Sequence, residues 1–375
     1  MKILMLSVSA GGGHMNAAIA LKTYICKNYN HFEVEIIDTI KYINPILDKL
    51  IIGSYLKSLK LSPNIFGMIY NYSETDQNIS TITNKVNELL SYKIHPLIES
   101  FNPDIIISTH PFSTEMLSIL KGKDLIDMPC VTIMTDYSSH NLWLHPNVNA
   151  YIVSNDTMIK EMLEKNVCED VIFPYGIPVS PDFTTPHNKS TTLSSLDLNC
   201  DKDTLLLMGG SLGMGNILDV YNELISIPID FQIIILAGKN DKLLSSLNEL
   251  TCNSSKETRI IGFTKEVNKY MQACDLLITK PGGLTITEAL VSGLPMAIFS
   301  PIPGQEEKNA EFLLKHNVAI DLYDGFNCKD KIYRLLNNKK VLNEMKFNAI
   351  KLSKPDSCKN ILPLLESLHK NKNEI

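Results

Sequence analysis

A run of three glycines followed by a histidine is the first segment whose residues could do chemistry. Gly11, Gly12 and Gly13 follow the apolar run KILML, which is typical of a buried strand, and His14 opens a helical pattern. Glycine lets a backbone approach a ligand closely, and the first turn of a helix presents free N–H groups at the positive end of its dipole. The segment therefore predicts an anion-binding loop with a titratable side chain at its mouth.

The same loop partly matches the fingerprint of a dinucleotide-binding site. That fingerprint has the form G-x-G-x-x-G, with an acidic residue about 20 positions further on. Here Gly11, Gly13 and Asn16 occupy the three positions, and Asp38 ends the next apolar run. Because the third glycine is missing the match is incomplete, and an NAD-dependent oxidoreductase stays open as an alternative on this loop alone.

A second glycine-rich loop lies near the middle of the chain, in TLLLMGGSLGMGNILDV. It joins an apolar run to a helical pattern through Gly209, Gly210, Ser211, Gly213 and Gly215. Backbone amides together with a helix N-terminus suit a diphosphate. The Lys-Ser/Thr ending of a P-loop is absent, so the pattern indicates a phosphate site of another kind.

Two later loops carry the sharpest polar pattern. In TKPGGLTITEAL, residues 280–283 follow an apolar strand, and Glu288 lies one turn into the next helix, where a carboxylate can accept hydrogen bonds from both hydroxyls of a ribose. In PIPGQEEKNA, donors and acceptors for sugar hydroxyls come from Gln305, Glu306 and Asn309. These loops follow strands, and the carboxyl ends of the strands are where open α/β sheets bind ligands.

The elements that must position these loops alternate between short apolar runs and helical patterns. Eleven runs predict strands, from KILMLSV near the N-terminus to VAIDLYD near residue 320. Near-continuous apolar strands separated by helices indicate parallel sheets covered on both faces. We therefore predict two doubly wound α/β domains, 1–180 and 200–354, with a Pro-, Ser- and Thr-rich linker from Pro178 to Asp203 and a last helix from about residue 355 that packs back on the first domain.

Composition excludes several classes of protein. The 375 residues carry a net charge of −6, which does not favour a general nucleic-acid binder. Eight cysteines are scattered without a C-x-x-C pair, so neither a zinc site nor a disulfide framework is predicted. No apolar run reaches the roughly 18 residues of a spanning helix, and the N-terminus does not resemble a signal peptide. We expect a cytoplasmic protein.

One segment departs from the α/β alternation. Lys41–Tyr72 contains apolar residues at helical spacing, interleaved with Lys49, Lys57 and Lys60 and followed by an aromatic run. A basic amphipathic stretch of this kind can lie in a membrane interface. The pattern alone favours a helical pair that packs on the sheet.

Several of these motifs resemble a known family. GGSLG, GFTKEV, TKPGGLTITEAL and PIPGQEEKNA resemble, in order and spacing, the donor half of GT-B glycosyltransferases. SAGGGHMNAA, STHPF and TDYSSHNLWLHPNVNAYIVSND resemble plant monogalactosyldiacylglycerol synthase and the bacterial processive diacylglycerol glucosyltransferases. The resemblance covers nearly the whole chain. It implies an α/β GT-B fold, in which two doubly wound Rossmann-like domains face each other across a cleft.

The resemblance also implies a role for each candidate residue. His14 is the implied catalytic base, and its place at a helix N-terminus should lower its pKa. The implied UDP-sugar contacts are Gly209, Gly210 and Ser211 with Pro281, Gly282, Gly283 and Thr285 at the diphosphate, Glu288 at the ribose, the backbone near Phe263 at the uracil, and Gln305, Glu306 and Asn309 at the sugar. The implied acceptor side consists of Gly12, Gly13, Asp136, His140 and Trp143, with Trp143 in a position to contact lipid.

The function implied by the resemblance is inverting transfer of glucose or galactose from UDP to diacylglycerol. It requires no cofactor and no metal, and the Asp201-Lys202-Asp203 triplet is interpreted as surface. It takes place at an anionic membrane surface on the inner face of the cell membrane, where an insertion at Lys41–Tyr72 docks, and it involves no nucleic acid. The alternatives are another lipid-linked or apolar acceptor, a UDP-sugar 2-epimerase on the same fold, the oxidoreductase, and a non-catalytic binding module.

Overall fold

A computed structural model describes residues 1–9, 12–45, 80–210, 213, 215–252, 254–322 and 328–373. Its contacts divide the chain into two compact units. The first consists of Met1–Pro181, Ile302–Gln305 and Lys354–Ile375, and the second of Asp182–Pro301 and Glu306–Ser353. Each unit contains one six-stranded parallel sheet, so the two-sheet α/β prediction is confirmed.

The first unit is built on a sheet with the order β2-β1-β3-β4-β5-β6. Its strands are β1 (Lys2–Ser7), β2 (Glu33–Asp38), β3 (Ile105–Ser108), β4 (Cys130–Ile133), β5 (Ala150–Ile152) and β6 (Ile172–Phe173). Its helices up to this point of the chain are α1 (Gly13–Asn28), α2 (Thr39–Ile43), α3 (Ser80–Phe101), α4 (Pro111–Gly122) and α5 (Thr157–Glu164). All adjacent strands are parallel.

The second unit is built on a sheet with the order β12-β11-β10-β7-β8-β9. Its strands are β7 (Thr204–Met208), β8 (Gln232–Leu236), β9 (Thr258–Ile261), β10 (Leu276–Thr279), β11 (Met296–Ile298) and β12 (Ala319–Asp321). Its helices are α6 (Lys189–Ser194), α7 (Ile217–Ile225), α8 (Asp241–Thr251), α9 (Val267–Ala273), α10 (Gly283–Val291), α11 (Gln305–Lys315), α12 (Cys328–Leu336) and α13 (Lys339–Leu352). The last helix, α14 (Ser357–Asn373), belongs to the first unit.

Burial on both faces explains why the strands appear as continuous apolar runs. Ile3 and Met5 of β1 pack in one core with α1 and α14, whereas Leu4 and Leu6 pack in a second core with α3 and α4. Successive residues of a strand point to opposite faces, so each residue of such a strand must be apolar. The eleven predicted strands are all present, and the two-residue β6 is an additional strand that the sequence pattern did not indicate.

The strand orders place two loops at the switch point of each sheet. In the second unit β7 and β10 are neighbours, and the order runs outward from them in opposite directions. In the first unit the corresponding neighbours are β1 and β3. The loops at the carboxyl ends of such neighbours leave toward opposite faces and open a crevice, which is where doubly wound sheets bind ligands. Gly209, Gly210 and residues 280–283 lie at one crevice, and His14 lies at the other.

The predicted linker is largely packed structure. Within it, α6 is held by Lys189, whose Nζ lies 2.7 Å from Asp275 Oδ1, and the His187 N–H donates to Gln272 Oε1 at 2.8 Å. Pro and Ser residues marked a change of element here rather than a free tether. The predicted membrane-docking segment Lys41–Tyr72 lies, from residue 46 onward, outside the described residues.

Candidate active site

His14 lies in the first turn of α1, immediately after β1, and its ring is held by two neighbouring strand ends. Its Nδ1 is 2.9 Å from the Thr109 carbonyl oxygen, beyond β3, and 2.7 Å from Thr135 Oγ1, beyond β4. A carbonyl oxygen can only accept a hydrogen bond, so the neutral ring carries its proton on Nδ1 and keeps an unprotonated Nε2. This tautomer is the one that a general base needs.

The surroundings of His14 keep the imidazole neutral. Burial lowers its pKa from the 6.5 usual for a histidine, because desolvation disfavours the charged ring. The Asp136 carboxylate and the hydrogen bond to Thr109 act in the opposite direction and limit the shift. The predicted lowering of the pKa is therefore seen, with desolvation as its largest cause.

Asp136 is a buried carboxylate whose oxygens are both engaged. Its Oδ2 accepts a hydrogen bond from Trp143 Nε1 at 3.0 Å, and its Oδ1 accepts from Gln305 Nε2. The Trp143 side chain is only 2% exposed, and its ring centroid lies 6.0 Å from that of His14. The indole of Trp143 thus holds the carboxylate beside the histidine, and a contact between Trp143 and lipid stays a prediction.

The remaining acceptor-side candidates shape the backbone around this cluster. Gly12 caps α1 at φ 88°, in the left-handed region that favours glycine, and Gly13 is the first helical residue. His140 is buried, and its Nδ1 accepts the Leu142 N–H at 3.1 Å, which starts the 3-10 turn Asn141–Trp143. That turn brings Trp143 onto Asp136.

Two residues at this site were not singled out from the sequence. Thr135 bonds His14 directly, and His110 lies edge-on to it, with ring centroids 4.6 Å apart and planes at 74°. Burial and the neighbouring His14 lower the pKa of His110 well below its usual value. Both residues follow an apolar strand, and they lie in the motifs STHPF and TDYSSHNLWLHPNVNAYIVSND that carry the family resemblance.

The glycine loop after β7 needs glycine for steric reasons. Gly213 has φ 55°, and a Cβ there would lie 2.4 Å from the Ala237 carbonyl oxygen, so no other residue fits. Gly210 has φ 70°, yet a Cβ on it would meet no atom of the described residues within 4 Å. Gly209 precedes this position directly, and Ser211 lies outside the described residues.

Glu288 of α10 is a partly buried carboxylate that has no hydrogen bond or ion pair with the residues that the structure describes. Burial raises its pKa to about 8. A desolvated acid without a partner is costly, and such groups concentrate at functional sites. Two ribose hydroxyls are the kind of donors that the carboxylate lacks.

The loop after β10 is held by residues that were predicted to contact the sugar. Lys280 Nζ lies 3.1 Å from Glu306 Oε2, and both side chains are largely buried. Asn309 is fully buried, and its Nδ2 donates to the Pro281 carbonyl oxygen at 3.1 Å. Asn309 thus positions Pro281 and the glycines behind it, and its direct contact with the sugar stays a prediction.

Replacing Asn309 with alanine should destabilise the second unit by about 1–3 kcal/mol, because the Pro281 carbonyl loses its buried donor. Thermal unfolding measures this loss. Lys308→Ala is the matched control: its side chain is exposed on the same helix and pairs only with Glu311 at the surface, so its effect should stay within about 0.5 kcal/mol. Equal destabilisation by the two substitutions would contradict the positioning role.

The other donor-side candidates occupy the same carboxyl edge of the second sheet. Gly282 and Gly283 begin α10, and Thr285 lies in its first turn. Phe263 follows β9 and is 54% exposed, with Lys239 Nζ 4.8 Å from its ring centroid. Gln305, in contrast, bonds Asp136 within the first unit.

The features behind the alternative interpretations have structural roles. Asp38 accepts the Ser9 N–H at 3.2 Å and caps α2 at Lys41, so its carboxylate is engaged in the fold. Asp203 precedes β7, at the opposite edge from the ligand loops, and pairs with Lys339 at the surface. In the described ranges no group of three or more His, Cys, Asp or Glu side chains is arranged to hold a metal ion. No helix among them is both long and apolar enough to cross a bilayer.

Comparison with protein families supports a glycosyltransferase on both halves of the chain. Residues 14–179 match the monogalactosyldiacylglycerol (MGDG) synthase family, and this match begins at His14. Residues 204–361 match the glycosyltransferase family 28 C-terminal domain, which includes both loops at the second switch point. The oxidoreductase alternative is thereby excluded.

Individual relatives cover almost the full length. The chain is 29% identical over 366 residues to a processive diacylglycerol beta-glucosyltransferase of Bacillus pumilus, covering 96% of this chain and 93% of the relative. The crystal structure of MurG from Acinetobacter baumannii superposes with a TM-score of 0.66 at 15% identity, over 98% of this chain and 99% of that one. The crystal structure of a UDP-GlcNAc 2-epimerase from Neisseria meningitidis superposes with a TM-score of 0.60 at 12% identity, over 98% of this chain and 100% of that one.

The two structural likenesses fix the fold alone, since transferases and epimerases both use it. The enzyme class comes from the families. The chain has the GT-B fold, its first half matches the MGDG synthase family and its second half the family 28 C-terminal domain, and it is a UDP-sugar-dependent hexosyltransferase.

Proposed function

We propose that this enzyme transfers glucose or galactose from its UDP-sugar to the free hydroxyl of diacylglycerol, with inversion, to give a β-glycosyl diacylglycerol. The observation that carries the proposal is the state of His14, a neutral imidazole with a free Nε2 at the switch point of the first sheet. Diacylglycerol as acceptor is supported by the printed name of the Bacillus pumilus relative.

The reaction is a single displacement with His14 as general base. The acceptor hydroxyl oxygen attacks the anomeric carbon while its proton passes to His14 Nε2. The bond between the anomeric carbon and the UDP oxygen breaks, and UDP leaves with the electron pair. Attack from the face opposite to UDP inverts the anomeric centre. The Asp136 carboxylate stabilises the imidazolium that forms, as its effect on the His14 pKa indicates.

Fixed dipoles and a lysine take the role that a metal plays in other transferases. The N-terminus of α10 and the backbone at Gly209 and Gly210 lie at the switch point that suits a diphosphate. Lys280 adds a positive charge at the end of β10, where Glu306 holds it. Glu288 binds the ribose. We propose on these grounds that transfer requires neither a metal nor a cofactor.

The same proposal includes the place of action. A water-insoluble acceptor must be met at a lipid surface, and the basic amphipathic pattern of Lys41–Tyr72 is suited to an anionic one. The enzyme would therefore be peripheral on the cytoplasmic face of the membrane.

A UDP-release assay tests the proposal. UDP-glucose and UDP-galactose are each supplied with anionic vesicles that contain or lack diacylglycerol, in the presence of EDTA. We expect release that depends on one donor and on diacylglycerol, with a β-linked glycolipid as product. Release of a free sugar epimer without lipid would contradict the proposal and indicate 2-epimerisation. Turnover only with another lipid-linked alcohol would show that diacylglycerol is not the acceptor.

A further inference from the structure

The first switch point contains a second histidine that the proposed mechanism leaves unused. His110 follows β3, one residue after the Thr109 carbonyl that holds His14. Its ring centroid is 4.6 Å from that of His14, in an edge-on arrangement. Rings at this distance can share one small ligand, because two hydrogen bonds of about 2.8 Å span the gap between them.

The hydrogen bonding of His110 fixes its tautomer. The ring caps α4, and its Nδ1 accepts the Phe112 N–H at 3.2 Å. A nitrogen that accepts is unprotonated, so the neutral ring carries its proton on Nε2. Nε2 makes no hydrogen bond with any residue of the described ranges, and the ring is only partly buried. His110 thus presents an unused N–H donor.

This donor is permanent within the working pH range. Burial lowers the pKa of His110, and the adjacent His14 lowers it further, since two neighbouring imidazolium ions repel each other. The ring therefore stays neutral when the base takes up its proton. The helix cap prevents the alternative tautomer, because moving the proton to Nδ1 would set it against the Phe112 N–H.

The two histidines have complementary hydrogen-bonding character. His14 keeps an acceptor, Nε2, and His110 keeps a donor, Nε2–H. A ligand that matches both has a hydroxyl close to an oxygen that can only accept. Diacylglycerol has this arrangement, because its free hydroxyl and a fatty-acyl ester lie on adjacent carbons.

We propose that His110 is a second substrate-binding histidine, whose Nε2–H donates to the ester group next to the reacting hydroxyl while His14 removes the proton from that hydroxyl. This inference rests on the proposed function and adds the residue that selects an ester-bearing acceptor. It explains why two histidines with opposite free nitrogens lie side by side.

Two substitutions test the roles of the two ring nitrogens of His110 separately. Asparagine is a favoured N-cap residue, and its Oδ1 can accept the Phe112 N–H in the place of Nδ1, so His110→Asn keeps the cap and removes the donor. Glutamine reaches further and places an amide N–H near the position of Nε2, so His110→Gln keeps a donor and weakens the cap. Thermal unfolding of each variant, and its affinity for UDP, show whether the fold and the donor site are intact.

The readout is kcat/KM for ester-linked diacylglycerol and for the ether-linked dialkylglycerol of the same chain length, in the same vesicles. We expect the native enzyme to prefer the ester by about tenfold, the size of one hydrogen bond to a desolvated donor. His110→Asn should lose that preference through a tenfold fall on the ester alone, and His110→Gln should retain part of it.

Two results would overturn the inference. The first is equal kcat/KM of the native enzyme on both lipids, and the second is an unchanged ester preference in His110→Asn, whether kcat/KM falls equally on both lipids or on neither. Absence of turnover by the native enzyme on either lipid would instead overturn the proposed acceptor, and the inference with it. Turnover of the two lipids by the native enzyme therefore shows whether the role of His110 or the proposed acceptor is wrong.

Discussion

Replacing His14 with alanine should lower kcat for hexosyl transfer by about 10³-fold and leave the affinity for UDP within a factor of two. A positioned general base contributes about 10²- to 10⁴-fold. His14 lies in the first unit, whereas Gly209, Gly210 and Glu288, which we propose as UDP contacts, lie in the second. Single-turnover transfer and isothermal titration with UDP measure the two quantities separately. An equal loss of UDP affinity and turnover would show that His14 supports donor binding instead.

The pH profile gives an independent check on the same residue. Because the folded pKa of His14 is below 6.5, kcat/KM should be flat at neutral pH and fall about tenfold per unit once the pH drops below that pKa. Thr135→Val removes the hydroxyl that bonds Nδ1 and keeps the shape of the side chain. The Thr135→Val variant should retain far more activity than His14→Ala. The pH at which its kcat/KM begins to fall on the acid side should differ from that of the native enzyme, as expected for a positioning residue.

Replacing Glu288 with glutamine should weaken UDP binding about 10- to 100-fold at pH 8.5, because hydrogen bonds from ribose hydroxyls to a charged acceptor contribute about 1.5–3 kcal/mol. In the native enzyme the carboxyl has a pKa of about 8. UDP affinity should therefore rise as the pH increases through 8, and the variant should show no such rise. Titration calorimetry across pH 6.5–9 measures both.

The same substitution should stabilise the empty enzyme. The folded pKa of Glu288 is raised above its unfolded value of 4.5, so the fold loses stability as the pH rises between these two values. Glu288→Gln should raise the free energy of unfolding by about 2 kcal/mol at pH 8.5, a discounted value for a partly exposed group, and by nothing below pH 4.5. A fall in both the free energy of unfolding and the UDP affinity of Glu288→Gln would show that Glu288 supports the fold and does not bind the ribose directly.

The fold was accessible from the sequence because of its two-sided sheets. Strands such as β1 and β10 are buried on both faces and appear as unbroken apolar runs, and the turns between them are rich in glycine. The two-residue β6 has too few residues to make such a pattern. The segment Pro178–Asp203 is rich in Pro and Ser but largely packed, as the ion pair between Lys189 and Asp275 shows. Pro and Ser content indicates where elements end and not whether the chain packs.

The candidate site was only partly accessible. His14 and Glu288 stand in local patterns, a glycine loop and a helix start, that survive in a linear sequence. His110 and Thr135 come together only because β3 and β4 bring their carboxyl ends to the same edge as β1. The hydrogen bond from Asn309 to the Pro281 carbonyl was not predicted, because residue spacing does not report burial.

The position of α14 has a consequence for the order in which the protein can be made. Cys358, Ile361, Leu362 and Leu365 complete the apolar core that Ile3 and Met5 of β1 begin. At about 5–20 residues per second of synthesis, the first unit waits tens of seconds, while the entire second unit emerges, for the helix that covers it. During that interval the second unit can fold before the first is complete. The apolar face of the first sheet that α14 will cover stays exposed, and a chaperone at the ribosome can bind it.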